Sequence, residues 1–555
     1  MAMAIPIACS ESFDRSVSSL SSICSSISTT TCDSADVHHA KSVLVSLRTL
    51  QSKLENLAIA EQSVHHYNIL LNQKIKVEKC IHDIESIISP ARWLPYELIG
   101  EILHHYLSSE QIVHLPVLEQ HPNPFVFTHI CQRWRRVALT TPKVWASLRI
   151  EIPQRFKGGY DRRIAGLIDL CTQRSGIRSL DIQFIVFPML TAWPRCELQE
   201  DICPMGVRTI FFALLRHSHR WRELHIDTSF PVLRTIFRGS PISTMLPTPL
   251  LEVFDLKGGT FPDDFHGRDH FPRPSLNLSS ATSLRKVSLR DNGLYTAHSA
   301  SFPWRLLEDL SLVGAQWDPA LSFQDCLGIL RQCTGLKHCR ISITEKAHAA
   351  TTLNAPMIVM DTLQSLHITE HTVPDGVGDL YRFVACPNLQ QLTFQFLILD
   401  SEELDSQDLS RIAGSITEFL EGSPLITALH LWNIPVSERG LLEMLSRVPL
   451  TTHLTLATWG VLGGIGNQLL YEMTVRSPSD SRVLLRRLEY VHIASRGHSE
   501  HFLFNFIQSR WRPSTRVQRL KEIRLDLLGN LSANRMHCRL RKFRDEGLKL
   551  TIIDN

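Results

Sequence analysis

A few residues of this chain have the types and spacing that catalysis or metal binding would need, but none belongs to a complete set. The glycine-rich segment 460–467 could surround a phosphate group, yet it lacks the Gly-Lys-Ser/Thr ending of such loops, and a turn is the favoured interpretation. His217 and His219 could bind a metal ion, but no cysteine or carboxylate stands at ligand spacing from them. Nucleophile motifs of the type G-x-S-x-G are absent. The sequence therefore predicts a chain that is not an enzyme and needs no metal or cofactor.

Composition narrows the class of protein. The chain has 555 residues, of which 43% are hydrophobic and 20% are charged, as expected for a globular protein of more than one domain. The formal net charge of +3 is too small to indicate binding to nucleic acid or to an anionic membrane. The 13 cysteines include no C-x-x-C pair, which favours reduced thiols. With no span-length apolar run and no recognisable secretory signal, we expect a cytoplasmic or nuclear location.

Two segments precede the first compact domain. Residues 1–36 are rich in serine and threonine and poor in large apolar residues, so we expect them to be disordered. Within residues 37–90, the stretch 41–89 has no proline or glycine, and its apolar residues recur close to every 3.5 positions. This pattern predicts one long amphipathic helix. The helix could self-associate as a coiled coil, or it could pack on the next domain of the same chain.

Residues 91–147 have the pattern of a small helical domain. Leu94 and Pro95 open a helix at its first turn, where the missing amide hydrogen of proline costs nothing. A second helix is predicted over 125–139, with Ile130 and Trp134 on one side.

Residues 148–555 carry a repeat of the form apolar-x-x-apolar-x-apolar. The second copy is Ile177/Leu180/Ile182, and segment 284–294 matches the leucine-rich-repeat consensus L-x-x-L-x-L-x-x-N-x-L. The thirteen copies are centred on Leu148, Leu180, Leu224, Phe254, Val287, Leu310, Cys339, Leu366, Leu392, Leu429, Leu454, Val491 and Ile523. One copy alone cannot bury its apolar face, so neighbours must stack. The sequence predicts an α/β fold, an irregular solenoid with parallel strands on the concave face and helices on the convex face.

The helical segment resembles an F-box. The first element is Leu94-Pro95-Tyr96-Glu97-Leu98-Ile99-Gly100-Glu101-Ile102-Leu103, and the later ones are Ile130-Cys131-Gln132-Arg133-Trp134-Arg135 and Trp145. The layout of a helix, an F-box and irregular leucine repeats is similar to the large F-box families of mushroom-forming fungi. The loop 108–124 is longer than in compact F-boxes, and Tyr96 stands where proline or aspartate is usual.

The resemblance implies a function in protein docking. F-box domains bind the Skp-type adaptor of cullin–RING ubiquitin ligases, so the repeat region would bind a target protein. By carry-over, the implied adaptor contacts are Leu94, Pro95, Ile99, Ile102, Leu103, Ile130 and Trp134. Arg178, Arg285 and Arg290 are candidate target contacts that could accept a phosphate, although arginine on a solvated face is common. The alternative is a non-catalytic scaffold that acts without the ligase.

Overall fold

The structure, a computed structural model, divides the chain into two compact units. Unit 1 comprises Met1–Gln111 and Asn123–Val144, and unit 2 comprises Ile112–Pro122 and Trp145–Asn555. The structure describes residues 34–60, 64–88, 94–107, 112–116, 123–153, 156, 158–187, 204–229, 232–233, 236, 247–258, 276–291, 301–314, 321, 323–343, 356–371, 380–397, 406–458, 465–477, 483–495, 499–512, 517–527 and 533–554. The predicted disorder of residues 1–36 falls almost entirely outside these residues. Within the described ranges, no helix is long and apolar enough to cross a membrane.

Unit 1 begins with a helical hairpin and not with the single long helix predicted for residues 37–90. The two helices are α1 (Ser34–Ala60) and α2 (Val64–Ile88). Arg48 pairs with Glu85 at 2.6 Å and Glu55 pairs with Lys74 at 3.0 Å, so the start of α1 faces the end of α2. The helices are therefore antiparallel.

The hairpin forms because each helix has its own apolar stripe. The buried residues of the pair are Ala40, Leu44, Leu47, Leu54, Val77, Cys80, Ile81 and Ile84. The stripe changes phase near Val77, so one straight helix would spread its apolar residues over two faces. Folding back buries both stripes against each other, and this is the packing that the single-helix prediction missed.

The second part of unit 1 is a three-helix module. Its helices are α3 (Tyr96–Leu107), α4 (Pro124–Ile130) and α5 (Gln132–Thr140). The side chain of Asn123 caps α4 by accepting a hydrogen bond from the amide of Phe125 at 3.1 Å. Cys131 is fully extended, with φ −159° and ψ 172°, and separates α4 from α5. The prediction of one helix over 125–139 was therefore wrong.

Unit 2 is built on one large parallel β-sheet whose strand order follows the chain order. Its strands are β1 (Val113–Leu115), β2 (Ser147–Ile152), β3 (Leu180–Val186), β4 (Trp221–Thr228), β5 (Val253–Gly258), β6 (Lys286–Asp291), β7 (Asp309–Val313), β8 (His338–Ile343), β10 (Ser365–His371), β12 (Gln391–Leu397), β13 (Ala428–Trp432), β14 (His453–Ala457), β15 (Tyr490–Ser495), β16 (Glu522–Leu527) and β17 (Lys549–Asp554). The short strands β9 (Ile358–Val359) and β11 (Val384–Ala385) pair separately. Each strand thus hydrogen-bonds to its sequence neighbours, as in a solenoid.

Helices cover one face of this sheet. They are α6 (Tyr160–Arg174), α7 (Pro204–Leu215), α8 (Phe323–Leu330), α9 (Leu380–Phe383), α10 (Ser406–Glu421), α11 (Glu438–Ser446), α12 (Asn467–Met473), α13 (Glu500–Trp511) and α14 (Ala533–Asp545), with 3₁₀ turns at Ser218–Arg220 and Trp304–Leu306. The rings of Phe184 on β3 and Phe211 on α7 lie 5.1 Å apart, and those of Phe394 on β12 and Phe419 on α10 lie 6.2 Å apart. The Leu, Ile and Phe face of the strands is therefore the core.

The predicted α/β class is confirmed, and every one of the thirteen repeat centres lies in or beside a strand of the parallel sheet. One register was wrong. Ile182 pairs with Leu148 and with Leu224, so Ile182 and not Leu180 is the centre of the second copy. Ile177, the leading apolar residue of the predicted second copy, is 98% exposed. Gly176, with φ +60°, ends the preceding helix in a turn and leaves Ile177 outside the core.

The domain boundary at residue 147 also needs correction. Residues 113–115, inside the predicted F-box, form the first strand of unit 2, with Val113 paired to Leu148. Trp145, counted as a late F-box residue, is completely buried in unit 2, and the guanidinium of Arg174 lies 4.4 Å from its ring centre. The helical module is therefore restricted to the residues on either side of this strand.

Candidate protein-docking surfaces

The helical module of unit 1 has a small apolar core and leaves other apolar side chains in solvent. The core consists of Ile99, Leu103, Phe127, Trp134, Val137 and Ala138, with Leu94 packed against it. Phe127 stacks on Trp134 with ring centres 5.6 Å apart. Leu98 is 49% exposed and Ile102 is 38% exposed, one helical turn apart on α3. Ile130, at the end of α4, is 52% exposed.

The seven implied adaptor contacts fall into two groups. Ile99, Leu103 and Trp134 are core residues, so their first role is to hold the module together. Pro95, Ile102 and Ile130 are exposed, and Leu94 is intermediate. The surface available to a partner therefore consists of Pro95, Ile102 and Ile130. Leu98 also belongs to it, although the resemblance did not imply Leu98 as a contact.

Unit 2 offers a second surface, the sheet face that points away from the helices, here called the open face. Residues at positions −1, +1 and +3 from each repeat centre lie on this face, because side chains alternate along a strand. The register places these positions side by side from strand to strand. The open face consists of two bands of different chemistry.

The charged band is the open face of β2 to β7. Ten of its eighteen residues are charged: Arg149, Glu151, Asp181, Glu223, Asp227, Asp255, Lys257, Lys286, Arg290 and Asp309. Most of them pair with each other or with adjacent residues. Arg149 pairs with Glu151 at 2.6 Å, Lys257 pairs with Asp227 at 3.2 Å, and Lys286 pairs with Asp309 at 2.8 Å.

Asp255 is the centre of this network. Its Oδ2 lies 2.7 Å from Arg290 Nη2 and 3.4 Å from His225 Nδ1. Burial alone would raise the pKa of the Asp255 carboxyl, but hydrogen bonds from His225 and Ser288 and the charge of Arg290 lower it overall. The hydrogen bond to Asp255, aided by Glu223, raises the pKa of His225 despite burial. The Asp255 carboxylate is thus balanced by cationic and hydrogen-bonding side chains of the same band.

The acid-free band is the open face of β8, β10, β12, β13, β14 and β15. Its eighteen residues, all described, are His338, Arg340, Ser342, Ser365, His367, Thr369, Gln391, Thr393, Gln395, Ala428, His430, Trp432, His453, Thr455, Ala457, Tyr490, His492 and Ala494. None is a carboxylate, five are histidines, and Arg340 is the single fixed charge. No described carboxylate lies within ion-pair distance of the exposed Arg340.

Side chains of the acid-free band contact one another through rings and hydroxyls, and at the edge of the band His492 Nε2 lies 2.9 Å from Asp526 Oδ2 on β16. His453 stacks on Tyr490 with ring centres 4.1 Å apart, and Trp432 meets His492 edge-on at 5.6 Å. His430 Nδ1 lies 2.8 Å from the hydroxyl of Thr455.

Two histidines of this band, His367 and His430, have lowered pKa values. Burial, together with the charge of Arg340 and the proximity of His430, lowers the pKa of His367 to about 4. Burial and two neighbouring histidines, His453 and His492, lower the pKa of His430. These two side chains are therefore neutral at pH 7.

The three predicted target contacts are not brought together. Only Arg290 lies on the open face, where it pairs with Asp255. Arg285 precedes β6 and points to Glu308 at 3.7 Å. Arg178 precedes β3, and its carbonyl accepts hydrogen bonds from Arg220. None of the three lies in the acid-free band, whose residues are found by reading positions −1, +1 and +3 at each repeat centre.

His217, which was considered as a metal ligand, contacts other side chains of the chain. His217 Nε2 lies 3.1 Å from Thr172 Oγ1, in an open groove of about 490 Å³ that also contains Arg216 and Arg220. Arg216 is bonded to both carboxylate oxygens of Asp169. No described group of three or more His, Cys, Asp or Glu side chains is arranged to hold a metal ion.

The glycine-rich segment leads into a short helix whose amino end already has an acceptor. Residues 459–464 lie outside the described residues, and Gly466 precedes α12 in an extended conformation. The carboxylate of Glu438 accepts a hydrogen bond from the amide of Leu469 at 2.7 Å. A carboxylate of the chain itself therefore stands where a bound phosphate would be expected.

Comparisons with known proteins add little to this picture. No family model matches the chain, and no curated protein matches it. Among solved structures, the chain is similar to a Bacteroides fragilis protein solved in a structural genomics programme, with 12% sequence identity and a TM-score of 0.27 over 54% of this chain and 74% of that chain. A likeness at this level carries no argument about fold or function.

Proposed function

We propose that this chain is the substrate-recognition subunit of a Skp–cullin–F-box type ubiquitin ligase. Unit 1 would bind the Skp-type adaptor, and the open face of unit 2 would bind the target protein. The chain itself would carry out no chemistry. Its contribution would be to raise the effective concentration of a target lysine near the charged ubiquitin carrier.

The observation that carries this proposal is the exposed apolar set of the helical module. Pro95, Leu98 and Ile102 stand in solvent on a helix that already buries Ile99 and Leu103 in its own core. A module of this size does not need these exposed side chains for its stability, and apolar anchors surrounded by polar residues are typical of protein interfaces. The same residues are those by which the segment resembles an F-box.

Adaptor binding tests the proposal directly. The double variant Leu98→Ala/Ile102→Ala removes two exposed anchors and leaves the core intact. We expect its affinity for a purified basidiomycete Skp-type adaptor, measured by surface plasmon resonance with the full chain, to fall about a hundred-fold.

The matched control is Val45→Ala/Ile59→Ala, which truncates two exposed apolar side chains on α1 of the same unit. This variant should bind the adaptor like the wild type. Circular dichroism verifies that both variants are folded. If the wild type does not bind the adaptor, or if the two double variants bind it equally well, the ligase proposal is wrong.

A scaffold that self-associates through residues 41–89 is the second candidate, and one observation favours it. Tyr67, Leu71 and Ile75 follow each other at four-residue spacing on α2 and are all exposed. The hairpin pairs its main apolar stripes internally, so this secondary stripe on α2 is available to a second copy. Light scattering of the full chain distinguishes the two candidates. A wild-type dimer that the variant Leu71→Asp/Ile75→Asp converts to a monomer would support the scaffold, and a monomeric wild type would exclude it.

A further inference from the structure

We propose that the acid-free band binds an extended acidic segment of a target protein, with an acidic side chain on Arg340 and an apolar side chain against Trp432. This inference rests on the proposed function, because it identifies the chemistry of the target that unit 2 would recognise. It is carried by the distribution of charge over the open face.

Carboxylates are absent from the open face of six consecutive strands of the sheet, β8, β10 and β12 to β15. The six strands before them place six carboxylates on the same face, so the fold itself tolerates acids there. The row of residues at the entrance to the strands changes in the same way. Backbone hydrogen bonds join them in order, from Glu252, Arg285, Glu308 and Lys337 to Gln364, Gln390, Thr427 and Thr452. The next residue of this row is Glu489, which precedes β15, so the row is uncharged at β10, β12, β13 and β14, between Lys337 at β8 and Glu489 at β15.

Arg340, the single arginine of the acid-free band, differs from Arg290 of the charged band in its ion pairing. Arg290 in the charged band is bonded to Asp255, whereas Arg340 is exposed and has no described carboxylate within reach. Its register neighbours on the flanking strands are Ser311 and His367, neither of which is an anion. A guanidinium in this setting is available to a carboxylate of a partner, with which it can form two parallel hydrogen bonds.

The same band also carries a group of aromatic side chains around Trp432. Trp432 and His492 meet edge-on, and the stacked rings of His453 and Tyr490 lie on the two strands that follow β13. Aromatic rings in a polar surrounding are the usual anchors of an interface. Arg340 and this aromatic group could therefore hold two side chains of one segment.

The register sets the spacing that the segment must have. Trp432 is three strands away from β8, about 14 Å, and two residues beyond His430, the counterpart of Arg340, about 7 Å. The two backbone positions are thus about 16 Å apart. An extended peptide advances about 3.3 Å per residue, so its acidic and apolar residues should stand about five positions apart.

Charge complementarity selects an acidic protein segment as the occupant. A basic segment would bring its cations to the exposed Arg340 on a band with no carboxylate of its own, and Asp526 on the neighbouring strand β16 already pairs with His492 and Arg524. The band holds one arginine and no lysine, which is a poor match for the many phosphates of a nucleic acid.

The test is selection of twelve-residue random peptides displayed on phage by the full-length chain, followed by fluorescence anisotropy of the selected synthetic peptides. We expect enrichment of Asp and Glu, depletion of Lys and Arg, and an apolar residue about five positions from the acid. Arg340→Gln should weaken binding about ten-fold, and Trp432→Ala should weaken it to a similar extent. The matched control Arg290→Gln, on the charged band, should change binding less than about two-fold.

Several results would overturn the inference. They are peptides with no acidic preference, equal losses for Arg340→Gln and Arg290→Gln, binding that requires phosphoserine in place of the acid, or a random 20-nucleotide RNA that binds more tightly than the peptides. Binding of the adaptor is measured on the same preparations. Acid-selective peptides without adaptor binding would contradict the proposed function alone, and adaptor binding without acid selectivity would contradict this inference alone.

Discussion

The two bands of the open face share one backbone design and differ in how their side chains are satisfied. In the charged band, carboxylates and cations on neighbouring strands pair with each other, as in the network around Asp255. In the acid-free band, hydroxyls, imidazoles and rings contact each other, and Arg340 has no described counter-charge. A sheet that pairs its own charges has little left to offer a partner. The charged band therefore consists of mutually paired charges, whereas the acid-free band has one cation without a described counter-charge.

The largest expected effect separates the bands by stability. Asp255→Asn keeps the shape of the side chain but removes the charge that Arg290 and His225 share, and we expect a loss of about 1–3 kcal/mol in the free energy of unfolding. Thr393→Val, an equally conservative change in the acid-free band, should cost less than about 0.5 kcal/mol. Chemical denaturation followed by circular dichroism measures both.

Equal losses for Asp255→Asn and Thr393→Val would mean that the two bands contribute alike to folding. The two bands would then not differ in their contribution to stability, and only their charge patterns would distinguish them.

The second effect is a difference in pH dependence between the two bands. The pKa of one histidine in the charged band is raised, and the pKa of one histidine in the acid-free band is lowered. The pKa of His225 is raised by its hydrogen bond to Asp255 and by Glu223, so its stabilising contribution is complete below about pH 6.5 and is lost as the pH rises through the folded-state pKa. The pKa of His367 is lowered to about 4 by burial, by Arg340 and by His430. Its contribution is therefore present above about pH 6.5 and is lost as the pH falls toward 4.

Thermal unfolding of His225→Asn and His367→Asn between pH 5 and pH 8 checks these signs. The deficit of His225→Asn relative to the wild type should shrink as the pH rises, whereas that of His367→Asn should grow. Slopes of the same sign for the two variants would show that the bands do not impose different environments on their histidines.

The sequence predicts the strands of unit 2 well because each one carries its own local signal. Alternation of Leu or Ile with polar residues identifies a half-buried strand without knowledge of its neighbours. β1 and β17 were missed, since Val113-His114-Leu115 is too short to show the pattern and β17 lacks the preceding apolar spacing. The distribution of charged and uncharged side chains on the open face can be recognised only when the strands are aligned with each other. Separate inspection of single repeat copies therefore led to the prediction of three arginines that do not lie together.

Unit 1 was less predictable because its outcome depends on tertiary contacts. Nothing in the stretch 41–89 marks a helix break by proline or glycine, and the hairpin is stabilised by pairing of two stripes that are each compatible with a straight helix. The extended Cys131 likewise has no sequence signal, yet it separates Ile130, which is exposed, from Trp134, which is buried, although both were predicted on one side of the same helix. The motif located the candidate docking surface, but only packing shows which of its residues are exposed.

The smallest expected effect tests the corrected register at the edge of the charged band. Ile177 and Ile426 are the leading apolar residues of two predicted copies, but Ile177 is 98% exposed and Ile426 is fully buried. Removing one methyl group with Ile426→Val should cost about 1 kcal/mol, because the space it leaves cannot be refilled without strain. Ile177→Val loses only contact with water and should leave the free energy of unfolding unchanged within about 0.3 kcal/mol. A loss for Ile177→Val as large as that for Ile426→Val, measured by chemical denaturation, would restore the original register, with Leu180 as the repeat centre and the open face of β3 displaced by two residues.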